Sequence, residues 1–429
     1  LWHWDIFNQH IHSGSSGPHY AQPMEPSSPF LQGFALRIRR RDGEQVRPLN
    51  HTGWREVTFN GEYPIGRVEY RDADAPVAVG LEAFSPFIPL NVDDSSLPVT
   101  VMRFNVTNVS RQNLDIELAG WLANPVAAKS GEFERALRHN RIIRRRNFIM
   151  IECSASRAED DAGQPQRTDL LFDDFERNTY EPWRAEGTAF GSGPVEQSNI
   201  PDYQGDLALH GQRAVNSHAA APDRDVGARD AHTGTLTSPP FTIERDYIRF
   251  LIGGGGHAGK TCVNLLIDGQ IVRSATGAND NKMKPHTWSV RRWANKTARI
   301  QIVDQERGGW GNIGLDYIVF SDRPDAPLGP LEEQADFGTM ALALLSRRPN
   351  AAAGKASVAS RLLPLAAFCR PADKDQPTSA TKEHGEELIG ALSKHLPLKP
   401  GQSADVTFLL AWHFPNLKLP KLPSGRHYA

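Results

Sequence analysis

Acidic side chains that could hold a proton or a cation gather at three places in the chain. Asp93 and Asp94 stand side by side in "NVDDSS"; Asp173, Asp174 and Glu176 share "FDDFER"; Asp316 lies in "GLDYIVF". Adjacent residues on an extended loop point apart, so Asp93 and Asp94 make a poor acid–base pair. An Asx-turn with hydrogen bonds to backbone amides is the expected role. His3, His10, His12 and His19, with Trp2 and Trp4, invite a metal reading, but their spacing matches no ligand signature and a polar strand and loop is expected. Gly254 to Thr261 fits GxxxxGK[ST], yet a phosphate loop must open a helix within a βαβ unit. Here Thr261 opens the strand-like "CVNLLI". The glycines are read as a tight bend, or as backbone that can approach a sugar closely. Rings that could stack on sugars are Trp183, Tyr247, Trp288, Trp293 and Trp310. Core packing is the default for each, and Trp310, within "RGGWGN", is the one expected at an exposed loop.

The elements that must position these residues are strands. Period-two alternation recurs between Gly, Pro, Asn and Asp, as in "FALRIR", "TVMRFNV" and "FIMIEC", the pattern of an all-β sandwich. Val77 to Phe84 and Val99 to Thr107 read as two strands joined by a proline-shaped loop, Ser85 to Pro98, of the kind that carries function on a rigid sheet. "NVTNVSRQNLDIELAG" reads as a hairpin turning at Asn108 to Asn113, and Asp268-Gly269 is a strong hairpin signal. Glu383 to His395 is the best helix candidate, with Leu388, Leu392 and Leu396 along one edge. Turn-rich breaks at Arg157 to Asp169 and Ser321 to Pro330 enclose a segment of ordinary domain size.

The chain has 429 residues and a formal net charge of -2, so nothing points to nucleic acid or an anionic membrane. The clusters Arg37-Ile-Arg-Arg-Arg and Arg141-Ile-Ile-Arg-Arg-Arg alternate with apolar residues and read as solvated strand faces. Cys153, Cys262 and Cys369 lie far apart, without the spacing of a zinc site or a disulfide framework. No apolar stretch approaches the roughly 18 residues that span a bilayer. The sequence starts at Leu1 and stops in "SGRHYA", which reads as a fragment; no compartment is legible from it.

"FNGEYPIGRVEYRDADAPVAVGLEAFSPFIPLNVDDSSLPVTVMRFNVTN", with "WDIFNQH" before it and "LLAWHFPN" far after it, resembles the amino-terminal domain of glycoside hydrolase family 116. That family includes β-glucosidases and the bile-acid-type, non-lysosomal glucosylceramidase. The resemblance covers roughly 1–155 and 325–429. It implies a large β-sandwich packed on a carboxy-terminal (α/α)6 barrel, which carries the nucleophile and the acid/base. Retaining hydrolysis needs two carboxyl groups about 5–5.5 Å apart, and no catalytic residue carries over to this chain.

The middle segment, with "LLFDDFERNTYEPWRAEGTAFGSGP" and "GGWGNIGLDYIVFSD", resembles a jelly-roll accessory domain found beside family 32 enzymes, similar to carbohydrate-binding and galactose-binding-like modules. Related modules lay first and last strands side by side and hold a structural calcium there. The resemblance therefore implies Ca2+ at Asp174, Glu176 and Asp316, with ordinary surface acids as the alternative. The expected architecture is an all-β chain: a large sandwich over 1–165 and 324–429, interrupted by a jelly roll over 168–323. Two functions follow. One is the non-catalytic amino-terminal part of a family 116 β-glycosidase, partnered by its own barrel. The other is a binding module whose insert attaches to carbohydrate, through Trp310. An insert that only mediates oligomer contacts is a third.

Overall fold

The computed structural model describes residues 30–40, 43–128, 130–133, 135–158, 167–325, 329–346, 354–359, 377–417 and 425–426. His3, His10, His12, His19, Trp2, Trp4 and Cys369 lie outside the described residues. The chain is all-β and forms two units, Leu1–Glu159 with Leu328–Ala429, and Asp160–Pro327.

The first unit is a sandwich of a five-stranded and a nine-stranded antiparallel sheet. The smaller sheet runs in the order Gly43–Pro48, Gln32–Arg40, Leu114–Ala123, Ile389–Leu398, Lys355–Ala359. In the larger, Val99–Asn108 lies between Val77–Phe84 and Ser403–His413. Strict alternation explains how Val77–Phe84 serves the core with one face: Val77, Val79, Leu81 and Ala83 are buried and the residues between them are not. The two inner faces meet ring to ring, Phe34 against Phe104 at 4.8 Å and against Phe408 at 5.1 Å.

Three expectations are corrected here. Glu383 to His395 is not a helix: a strand ends at Glu383 and another, Ile389–Leu398, fills an inner position of the smaller sheet. Leucines spaced by four satisfy period two as well as period 3.6, and Leu392 and Leu396 face the core as strand residues. "NVTNVSRQNLDIELAG" is not a hairpin. Its two strands belong to different sheets, and Asn108 builds the crossing, its amide donating to Gln112 O at 2.8 Å and Leu398 O at 3.0 Å. Nor is the Arg37 cluster wholly solvated. Arg37 is buried against Glu117, because this sheet is covered on both faces where the two strands pair.

The second unit is a sandwich of two six-stranded sheets around its own core of Phe250, Leu265, Ile300, Leu315 and their neighbours. Its first strand, Leu170–Asp173, pairs antiparallel with its last, Ile313–Ser321. Arg167 clamps Asp322 with two bonds of 2.8 Å, so the ends of the unit are tied together. Thr261–Ile267 and Gln270–Thr276 form the hairpin around Asp268-Gly269, both turn residues having positive φ, as a two-residue turn requires.

Candidate functional site

In the first unit the loop between Val77–Phe84 and Val99–Asn108 holds a four-residue helix, Val92–Ser95. Asn91 caps it by accepting from Asp94 N at 3.1 Å, and its amide donates to the Asp94 carboxylate at 2.8 Å. Asp93 and Asp94 lie in its first turn, where acidic charge is favourable. Ser95 fastens the loop to itself, donating to Ile88 O and accepting from Ile88 N. Proline, cap and serine therefore shape a stiff loop, yet what it shows to solvent is apolar. Leu90, at φ +66, is fully exposed, and Phe87, Ile88, Val92 and Leu97 are exposed beside it. Tyr63, at the tip of the neighbouring hairpin and 80% exposed, packs its ring on Phe87 at 5.2 Å.

In the second unit the loops after the first strand and into the last one converge. Asp173 is spent locally, accepting from Trp183 Nε1 at 2.7 Å and Arg177 at 2.5 Å. Glu176 accepts from the backbone N–H groups of Gln212 and Arg213 at 2.8 and 3.0 Å. A side chain at Gly211 would overlap it: a Cβ there would lie 2.2 Å from Glu176 Oε1. Asp174 accepts from Glu176 N at 3.3 Å. Asp316 is completely buried and accepts from His210 N and Tyr317 N, each at 2.7 Å. Burial pushes the Asp316 carboxyl up to about 7 against those bonds, and the charges of Glu176 and Asp174 add to the rise. The three carboxylates are thus electrostatic neighbours. Among the described residues, however, no three His, Cys, Asp or Glu side chains converge as a metal centre requires.

Trp310 sits elsewhere, in the loop between Thr297–Asp304 and Ile313–Ser321, at φ +63 and 38% exposed. Its carbonyl lies against Gly255, where a Cβ would come within 2.1 Å, and His257 contacts Gly309 O at 3.1 Å. The glycine run therefore serves as a close-packed turn beside the tryptophan, and it leads into a strand, not a helix. Trp183, Tyr247 and Trp288 are core residues, whereas Trp293 is half-buried between the guanidinium groups of Arg273 and Arg292.

Sequence reading missed two features of this unit. Tyr203 Oη meets His218 Nε2 at 2.7 Å, and His218 Nδ1 meets Asp230 Oδ1 at 2.5 Å, a chain running from an exposed phenol into the interior. Asp304 ends its strand in the core. Its signal was present in "ARIQIVD", where Ala298, Ile300 and Ile302 point inward and period two carries Asp304 with them.

Comparison with known proteins bears first on the amino-terminal part. Residues 2–189 match the family model described as beta-glucosidase 2, glycosyl-hydrolase family 116 N-term. Over those residues the chain is similar to the amino-terminal domain of glycoside hydrolase family 116. A protein of Aspergillus rugulosus described as a putative glycosyl hydrolase, ecdE, is 31% identical over 156 residues, which is 36% of this chain and 21% of that protein. The chain thus spans about a fifth of that relative. Among solved structures, a family 35 carbohydrate binding module from Clostridium thermocellum is 12% identical with a TM-score of 0.20, covering 36% of this chain and 99% of the module. An exo-beta-1,3-galactanase from Phanerochaete chrysosporium is 10% identical with a TM-score of 0.20, covering 61% of this chain and 80% of the enzyme. Among the described residues no helix is long and apolar enough to cross a membrane.

Proposed function

We propose that this chain is the non-catalytic amino-terminal part of a family 116 β-glycosidase acting on β-glucosides or glucosylceramide-like substrates. Its partner in this reading is a carboxy-terminal (α/α)6 catalytic domain of the same protein. The observation that carries the proposal is the apolar crest of Tyr63, Phe87, Ile88, Leu90 and Val92 on a family 116 amino-terminal domain. A stiff, capped loop that exposes large apolar side chains is a surface shaped to be covered. In this reading the catalytic domain is the occupant. The test uses both forms of the protein. The purified chain should hydrolyse no aryl β-glucoside, and in the full-length enzyme Leu90→Asp should lower activity and melting temperature together. Turnover by the chain alone, lost on replacing one of its own carboxylates, would overturn the reading. So would a Leu90→Asp enzyme of unchanged activity and melting temperature.

A second reading concerns the insert, which we take to be a carbohydrate-binding jelly roll. Trp310 supports it, because a tryptophan fixed at positive φ on a close-packed turn and still partly exposed is available to a sugar ring. Structural Ca2+ at Asp174, Glu176 and Asp316 belongs to the same reading. Its support is the buried, like-charged neighbourhood of Asp316, where carboxylate oxygens are the hard donors that calcium takes. Retarded migration of the chain in polysaccharide gels, abolished by Trp310→Ala, is the expected result. Unaltered migration in every polysaccharide would leave the insert without this function.

A further inference from the structure

The first unit holds an open cavity of about 320 Å³, at the end of its strands opposite the crest of Tyr63 and Leu90. That volume lies near the lower end of the range of small-molecule sites, roughly 300–1,000 Å³. Glu56–Glu62 begins here and Ile65–Arg71 ends here, so Glu56 and Arg71 stand opposite each other in the ladder. Arg55 and Asp72 flank them in the chain, and Ala78 and Val109 line the same space. The turn that closes this end is fixed. Ala75 N donates to Asp72 O at 3.0 Å, Asp74 N to Asp72 Oδ1 at 3.1 Å, and Val109 N to Pro76 O at 3.0 Å. Arg47 holds Asp72 from the interior at 2.9 Å. A wall held in this way spares a ligand much of the cost of ordering its site.

The lining carries charge of both signs in balance, Arg55 and Arg71 against Glu56 and Asp72. A ligand with net charge of either sign gains little from such a set. One that both donates and accepts hydrogen bonds can use all of it. Donors remain to be used. Arg55 Nη2 bonds Asp74 at 2.7 Å with its Nε 3.9 Å from Asp72, and Arg71 Nη2 bonds Glu69 at 2.5 Å. Each guanidinium has five N–H groups, so most are left over. An acceptor remains as well: the exposed Glu56 carboxylate enters no ion pair among the described residues. Val109 adds an apolar side chain that is 59% exposed. Hydroxyls that give and take hydrogen bonds, beside a face of C–H groups, are the chemistry of a sugar ring.

We propose that this cavity binds a neutral sugar, a mono- or disaccharide unit. Glu56 accepts from its hydroxyls, Arg55 and Arg71 donate to them, and Ala78 and Val109 meet the C–H face of the ring. The site lies wholly in the first unit. It therefore depends neither on Trp310 nor on what covers the crest, and one experiment separates it from both.

The 429-residue chain is titrated with methyl β-D-glucopyranoside and with cellobiose by saturation-transfer NMR, in a Trp310→Ala background that removes the aromatic platform of the insert. Binding with a Kd of about 1 mM that persists in this background is the expected result. Arg71→Ala and Glu56→Ala, both at exposed side chains, should each weaken it on the order of tenfold. Val109→Lys leaves every hydrogen-bonding group in place but fills the cavity, and should weaken it as much. Unchanged affinity in all three variants overturns the proposal, and so does a Trp310→Ala chain that takes up neither sugar. Preference for glucuronate or inorganic phosphate over the neutral sugars overturns it too, because the balance of charge would then not be what selects the ligand.

Discussion

The two sandwiches bury acidic groups in opposite ways. In the first, Glu117 lies in the interior beside Arg37, accepts from Ser393 Oγ at 2.6 Å and has Lys355 at 3.7 Å. Asp72 follows the same rule, with the Asp74 N–H and Arg47 holding it below the usual carboxylate range. In the second, Asp304 and Asp316 are buried among amides, hydroxyls and other acids, and both are pushed up to about 7, chiefly by burial. Paired charges of the first kind neutralise each other inside the fold, even though Arg37 Nη1 and Arg47 Nη1 are left without hydrogen-bond partners. Carboxyls of the second kind are destabilising while ionised and alone, so they persist only where something else, a proton or a cation, completes them.

The largest effect expected from this contrast lies in the first sandwich. Arg37→Ala strips Glu117 of its main partner and leaves a buried anion, which typically costs about 3–5 kcal/mol. Denaturant unfolding of the variant should show that loss in the transition of the first sandwich. A loss under about 1 kcal/mol would mean that Ser393 and Lys355 suffice, and the contrast between the units would weaken.

The second effect has the opposite sign. A carboxyl whose folded pKa lies near 7, against an unfolded value near 4, binds protons more tightly in the native state. Stability is then fully present below about pH 4 and is lost as pH rises through about 7. In chelator, the insert should melt higher at pH 5 than at pH 8. For Asp304 the full effect, from below pH 4 to above pH 7, is bounded at about 4 kcal/mol, and the window from pH 5 to pH 8 samples only part of it. The acids that face Asp304 are Asp230 and Glu306, and those that face Asp316 are Glu176 and Asp174. Asp304→Asn should flatten part of the slope and raise stability at pH 8, the reverse of Arg37→Ala. A melting temperature independent of pH between 5 and 8 in chelator would break the comparison.

How much of this was legible depends on which kind of information a residue carries. Alternation revealed the strands, because each pleat must bury one face, and the Gly61 to Asn108 segment that carried the resemblance lies within the residues that the family model matches. The leucines at 388, 392 and 396 misled because a spacing of four is common to both periodicities, and only the neighbours of Ile389–Leu398 decide between them. Arg37 was misread for a related reason. Local pattern shows which residues share a face but not that a second layer covers it. Asp174, Glu176 and Asp316 were singled out from sequence, yet the burial that makes Asp316 unusual comes from strands far apart in the chain. Asp304 was overlooked although its position pointed inward, since an inward acid at a strand end looks like the first residue of a loop.

The smallest effect tests whether it is the lack of an oppositely charged partner, and not placement in the insert, that sets Asp304 and Asp316 apart. His218 is as buried as they are, 2% exposed in the same unit, but both its ring nitrogens are engaged, by Tyr203 Oη and Asp230 Oδ1. Tyr203→Phe removes one of those bonds without removing the ring, which packs edge-on to the imidazole at 5.6 Å. Tyr203 is more than half exposed, so water can reach the vacated position and the loss should be only about 0.5–1.5 kcal/mol. Its readout is the chelator-treated chain at pH 5 and pH 8, compared with wild type. A small loss, equal at both pH values, fits a satisfied hydrogen-bond chain in which Asp304 is the separate, unmet group. A loss that appears only at pH 8 would show that Asp230 couples His218 to Asp304, and the two acids would then have to be treated as one titrating network.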